Sequence, residues 1–108
     1  MIIVCQKPLK RLKINGIALF PFILISNPED KKNKILINHE KIHLRQQLEM
    51  FVLFFYIVYV AEYYYWLVKL KDSNRAYQRI SFEREAYANE HNLKYLEKRK
   101  LWSFRKYL

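Results

Sequence analysis

The chain is poor in residues that brace or break a backbone, with one Gly, three Pro and one Cys in 108 residues. The lone Cys5 excludes an internal disulfide framework. No charged segment leads into an apolar stretch with a small-residue cleavage site, so a reducing, cytoplasmic setting is expected. Internal repeats and low-complexity tracts are also missing. Hydrophobic residues at 52% and aromatics at 17% exclude a disordered chain, and the length suits one domain spanning 1–108. Acids are scarce: ten Asp and Glu face twenty Lys and Arg, a net charge of +10 that favours anionic partners. The basic aromatic C-terminus carries Trp102, Phe104 and Tyr107 among Lys98, Arg99, Lys100, Arg105 and Lys106. It lacks any helix-turn-helix, finger or RNP signature, so nucleic acid is not an expected partner and a solvated end is.

Punctuation divides the chain sharply. The only glycine and two of the prolines precede residue 27, and nothing beyond Pro28 is Pro or Gly. The β-rich part, 1–26, reads as strands over 2–5, 12–15 and 17–25, with Asn15-Gly16 as a hairpin turn and Pro21 at an edge or bulge. The helical part, 27–108, reads as helices over about 28–48, 50–70 and 74–99. Asn27 is placed to cap the first, with Pro28 at its first position and Glu29 and Asp30 in its first turn; Ser73 or Asn74 is placed to cap the last. The fold class expected is α+β, a small N-terminal antiparallel sheet followed by three helices.

Inside the first helix lies His39-Glu40-Lys41-Ile42-His43, an H-E-x-x-H pattern in the helical context the motif requires. Two His at i and i+4 share one helix face about 6 Å apart, close enough to grip one Zn²⁺. A coordinated water then has its pKa lowered toward about 7, and Glu40, on the flank, can take its proton and pass it to a leaving amine. Ile35, Leu36, Ile42, Met50 and Leu53 fall on or beside the same stripe, so the imidazoles sit in an apolar arc. The plain alternative is a pair of satisfied core histidines.

A third ligand should come from 82–91. Helix geometry projects Glu83 into the arc of Ile80, Phe82, Ala86, Tyr87 and Leu93, where a carboxylate needs a cation, and points Glu85 toward solvent beside Asn89 and Asn92. Glu90 shares the stripe of Glu83 about 10 Å on, so only one of the two can reach a given metal, and an ion pair with Arg79 or Lys94 is its plain role. His91 is the other candidate. Glu85, Glu90 and His91 thus remain alternatives to Glu83.

These residues resemble the gluzincin metallopeptidases, which pair H-E-x-x-H with a glutamate on a downstream helix; the counterpart here is Glu83-Arg84-Glu85-Ala86-Tyr87, and the resemblance spans about 35–95. His39 through Gln47 also looks like small metallopeptidases with Gln-Gln after the second His, and the size is similar to that of the minigluzincins. The resemblance implies a zincin-like fold, Zn²⁺ on His39, His43 and Glu83, Glu40 as catalytic base, and a peptide or protein substrate added along strand 17–25. Tyr87 stands where those families usually carry an Asp or Asn, and Lys41 and Arg45 stand at positions usually uncharged.

Chain geometry sets a condition. If 51–70 extended the motif helix into one rod of nearly forty residues, it would run about 55 Å and keep Glu83 far from His43. The site therefore needs a bend near 48–51, where Leu48-Glu49-Met50-Phe51 has no Gly, Pro or Asn to announce one, or a partner chain supplying Glu83 across a homodimer. The run 51–70, with only Glu62 as an acid and Arg45, Lys69 and Lys71 at its flanks, approaches the length of a membrane span. Its Tyr residues and Trp66 suit a core helix or an interfacial belt better. A membrane surface or membrane protein is accordingly a second kind of partner. The alternative to hydrolysis is a non-catalytic, membrane-associated or assembly subunit. Cys5 is read as a packing residue rather than a latent zinc cap.

Overall fold

The computed structural model describes residues 2–108. It is an α+β structure, mostly helical: β1 (Ile2–Val4), α1 (Gln6–Arg11), β2 (Gly16–Leu19), β3 (Phe22–Ile25), a 3₁₀ turn (Pro28–Lys32), α2 (Lys34–Glu49), α3 (Leu53–Leu70), α4 (Ser73–Arg79), α5 (Ser81–Asn89), α6 (Tyr95–Lys98) and a closing 3₁₀ turn (Ser103–Tyr107).

The sheet is mixed, not antiparallel as expected from the sequence. β3 lies in the middle, antiparallel to β2 and parallel to β1, with Ile2 opposite Ile23 and Gly16 opposite Ile25. The cause is α1, which carries the chain away from β1 and leaves a gap that β3 fills. At six residues α1 is too short to show a helical period, and it displaces the strand expected over 12–15. Lys13 just beyond it has φ of 60°, and the Ile14 N–H returns to the Leu9 carbonyl. The hairpin turn falls at Phe20-Pro21, not at Asn15-Gly16, so the single strand expected over 17–25 is two.

α2 is the central element. One side packs Ile37 against Ile23 and Ile25 of the sheet; beyond its other side Phe55, Ile80, Phe82 and Phe104 form a second core. The true cap of α2 is Asn33, whose side chain accepts from the Leu36 N–H, while Asn27 starts only the 3₁₀ turn and makes no side-chain cap bond. Asp72, rather than Ser73 or Asn74, caps α4.

The bend required by the sequence is present: α2 and α3 meet at 113°. It is made by Phe51 and Val52, with φ of 54° and 57°, and the Leu53 N–H turns back to the Phe51 carbonyl. Left-handed backbone at two consecutive bulky residues is strained by about 1–3 kcal/mol each. Phe51 is 79% exposed, so its side chain holds little of the core. Phe51→Gly should therefore stabilise the chain by about 1 kcal/mol, seen as a melting temperature about 4 °C higher; a lower one would show the bend to be relaxed.

The long helix expected over 74–99 is broken. Ile80 is extended, with φ of −60° and ψ of 131°, and Glu62 reaches across from α3 to accept from both the N–H and the hydroxyl of Ser81 at 2.7 Å. The single acid of the apolar run thus closes the open end of α5. At the other end of α5, Asn38 of α2 donates to the carbonyls of Glu90 at 2.8 Å and Asn92 at 3.0 Å. The first anchor ties α5 to α3 and the second ties it to α2.

The C-terminus is not the solvated end expected. Phe104 is buried against Phe82, and Arg84 donates to the Tyr107 carbonyl at 2.7 Å. Among the described residues no single helix is long and apolar enough to cross a membrane.

Candidate metal centre

Anchoring α5 under α2 brings Glu83 to the His pair. His39 Nε2 and His43 Nε2 stand 3.2 Å apart, and Glu83 Oε1 lies 3.3 Å from the first and 3.0 Å from the second. All three residues are buried. They form the one group of three or more potential metal ligands among the described residues, with ligand atoms within 4.8 Å of one another. The chain supplies all three from one copy.

What surrounds the cluster decides its chemistry. His43 Nδ1 faces Gln46 Oε1 at 2.8 Å, and Gln46 Nε2 donates to Glu85 Oε1 at 2.8 Å and to the Phe82 carbonyl at 3.2 Å. Because the Gln46 amide nitrogen is committed to two acceptors, its oxygen must meet His43, whose Nδ1 then carries the hydrogen. On the other ring, His39 Nδ1 faces Glu90 Oε1 at 3.6 Å, an orienting charge contact that favours hydrogen at the same nitrogen. Both neutral rings then turn bare Nε2 lone pairs toward the Glu83 oxygen. Three acceptors pointing at one spot require a cation there, a proton or a metal.

Glu83 is itself held. Tyr59 donates to Oε2 at 2.6 Å and Tyr77 to Oε1 at 3.1 Å. Burial would push the Glu83 carboxyl up, but the His43 charge, contact with the imidazoles and the Tyr59 hydroxyl hold it well below the usual range. Burial and the neighbouring Glu83 raise both tyrosines far above their ordinary value, so they remain donors. Burial lowers the His43 imidazolium, yet the Glu83 charge and hydrogen bond override it and lift it to about 9. Without a metal, the required cation is a proton on His43. Two imidazoles and one carboxylate are also a donor set that would suit Zn²⁺.

The cleft holds about 830 Å³, and His39, Glu40, His43 and Glu83 all line it. Its opposite wall is β2 from Gly16 to Ala18, and α3 contributes Phe55, Tyr56, Tyr59 and Val60. Gln47 fastens the strand to α2: its amide donates to the Ala18 carbonyl and accepts from the Phe20 N–H, each at 2.8 Å. A methyl group at Gly16 would stand 3.4 Å from Glu40 Oε2, so the sole glycine lies where the strand passes the motif carboxylate. Burial raises the Glu40 pKa above 4.5, opposed by the charges of His43 and His39.

The structure sorts the remaining candidates. Glu85 is buried, not solvated: Arg99, Tyr95 and Gln46 surround it, and Gln46 stands between it and His43. Glu90 faces the outer nitrogen of His39 rather than pairing with Arg79 or Lys94. His91 is exposed, Cys5 takes no part in the cluster, and no residue from 95 to 108 lines the cleft. Tyr87 packs its ring edge on His39 with centroids 4.5 Å apart. The sequence notes Gln46 and Gln47 only as the Gln-Gln of the resemblance and gives no role to them, to Tyr59 or to Tyr77. For Gln46 a signal existed, since three residues beyond His43 is one helical turn and within reach of its ring. No family model, curated protein or solved structure matches the chain.

Proposed function

We propose that the chain is a zincin-like, zinc-dependent peptidase. His39, His43 and Glu83 hold Zn²⁺, and Glu40 acts as general base on a peptide lying along β2. The observation that supports this reading is the convergence of two Nε2 atoms and a carboxylate oxygen within 3.3 Å, with His43 Nδ1 bound and His39 Nδ1 faced by acceptors on the outer side. Zinc, when bound, polarises the scissile carbonyl and acidifies water.

The chain's own residues supply the rest. Pairing of Leu19 with Phe22 across the two-residue turn directs the backbone groups of Gly16 and Ala18 away from β3. The Ala18 carbonyl is occupied by Gln47, and Gly16 sits at the free edge beside Glu40. An extended peptide can add there as a further strand. Glu40 accepts the proton of the attacking water and returns it to the departing nitrogen. Tyr59 and Tyr77 keep Glu83 from swinging away.

Metal analysis of the purified chain tests the reading. About one zinc per chain is expected, lost in His43→Ala, together with cleavage of an unstructured protein that a chelator stops and zinc restores. A chain that takes up no zinc, or hydrolyses nothing when loaded, sinks the proposal. Because His43 holds a proton up to about pH 9 in the metal-free chain, zinc must displace it. Affinity should therefore rise about tenfold per pH unit from neutrality toward 9 and then level, with about one proton released per zinc in calorimetry across buffers.

A further inference from the structure

α3 turns a second face to solvent. From Leu53 to Val68 each exposed side chain is apolar or aromatic; Phe54, Ile57, Tyr64 and Val68 recur at helical spacing, and Val68 is 75% exposed. At 1.5 Å per residue this stripe is about 22 Å long, and Phe51 extends it at the bend. Half-exposed or barer side chains of this number offer on the order of 1,000 Å², above the few hundred expected of the largest patch on a monomer. The only acid of α3, Glu62, is turned away to Ser81.

Charge indicates the occupant. At the C-terminal end of the stripe Lys69, Lys71, Arg75 and Arg79 are exposed, and none pairs with a carboxylate among the described residues. Lys69 lies over the Tyr65 ring at 4.9 Å and Arg79 over Trp66 at 5.3 Å, placing cations beside the aromatic rings. The one nearby acid, Asp72, is spent on the cap of α4. Apolar stripe, Tyr-rich end and terminal cations form the layering of an interfacial helix. Pairing two copies would instead bring together chains of +10 each, with no acid on the rims to answer these cations. We propose that this face of α3 docks on an anionic lipid bilayer, the stripe entering the headgroup boundary and the four cations meeting lipid anions. The inference does not depend on hydrolysis.

Co-sedimentation of the full chain with vesicles tests it, comparing phosphatidylcholine alone with phosphatidylcholine carrying about 30% phosphatidylserine. Partitioning at least about tenfold stronger onto the anionic vesicles is expected, weakening at high salt. Two variants, Ile57→Ser with Val68→Ser and Lys69→Glu with Lys71→Glu, should each lower it about tenfold, with circular dichroism unchanged because all four side chains are exposed. Equal binding to both compositions, or to neither, overturns the proposal. So does a dimer in analytical ultracentrifugation that the Ile57 and Val68 variant dissociates while the wild-type chain ignores vesicles, an outcome that assigns the stripe to a second copy.

Discussion

Glu40→Gln is expected to leave zinc content and fold unchanged while lowering kcat by about 10²–10⁴-fold, the range for loss of a positioned general base. The amide keeps the volume of the side chain, which matters at 5% exposure between the His pair and Gly16. It loses only the ability to accept a proton. On the proposed reading KM should hardly move, since backbone groups of β2, and not Glu40, would align a substrate strand. Glu83→Gln makes the contrast: the amide oxygen can still face one imidazole, but the charge that holds His43 protonated and would balance Zn²⁺ is gone. Zinc and activity should then fall together. An active Glu40→Gln enzyme would remove Glu40 from the chemistry, and a zinc-free one would make it part of the metal's support.

Both variants rest on positions that local spacing could place. Two His one turn apart and an acid in an apolar arc are properties of single helices: the H-E-x-x-H spacing brings out His39, Glu40 and His43, and the wheel brings out Glu83. What failed was anything decided between elements. The bend at Phe51 and Val52 uses residues with no left-handed preference, so nothing local announces it; the cores on either side impose it. The wheel turns Glu85 to solvent because it describes only its own helix, whereas the partner Arg99 arrives from fourteen residues on. The mixed sheet is hidden in the sequence because α1 is too short to have a period. Asn38, Gln46 and Gln47 look like ordinary polar positions until α5 and the hairpin are set against α2, where their amides close the ends and edges of both.

Arg99→Met is expected to be the most destabilising single change. The Arg99 side chain is fully buried, with its Nε and Nη2 on Glu85 and its Nη1 on Glu49 at 2.6 Å, while Tyr95 donates to Glu85 at 2.6 Å. One arginine thus serves two buried carboxylates, and Glu49 Oε1 already lacks a partner. Removing the cation strands both acids, a loss of about 3–5 kcal/mol and more than about 12 °C in melting temperature. Acidity gives the loss a signature. In the wild-type chain burial raises the Glu85 carboxyl, but hydrogen bonds from Arg99, Tyr95 and Gln46 and the Arg99 charge pull it below 4.5. Its contribution is therefore present above pH 4.5 and fades as acid titrates the folded carboxylate. Without Arg99, burial dominates and the folded Glu85 binds its proton more readily than the unfolded one, so Arg99→Met should gain stability from pH 7 toward 4 while the wild-type chain does not. Urea unfolding at the two pH values reads the difference, and parallel slopes would refute the pairing. Since Glu85 also holds Gln46 against His43, the same variant should bind zinc about tenfold more weakly even where it is folded.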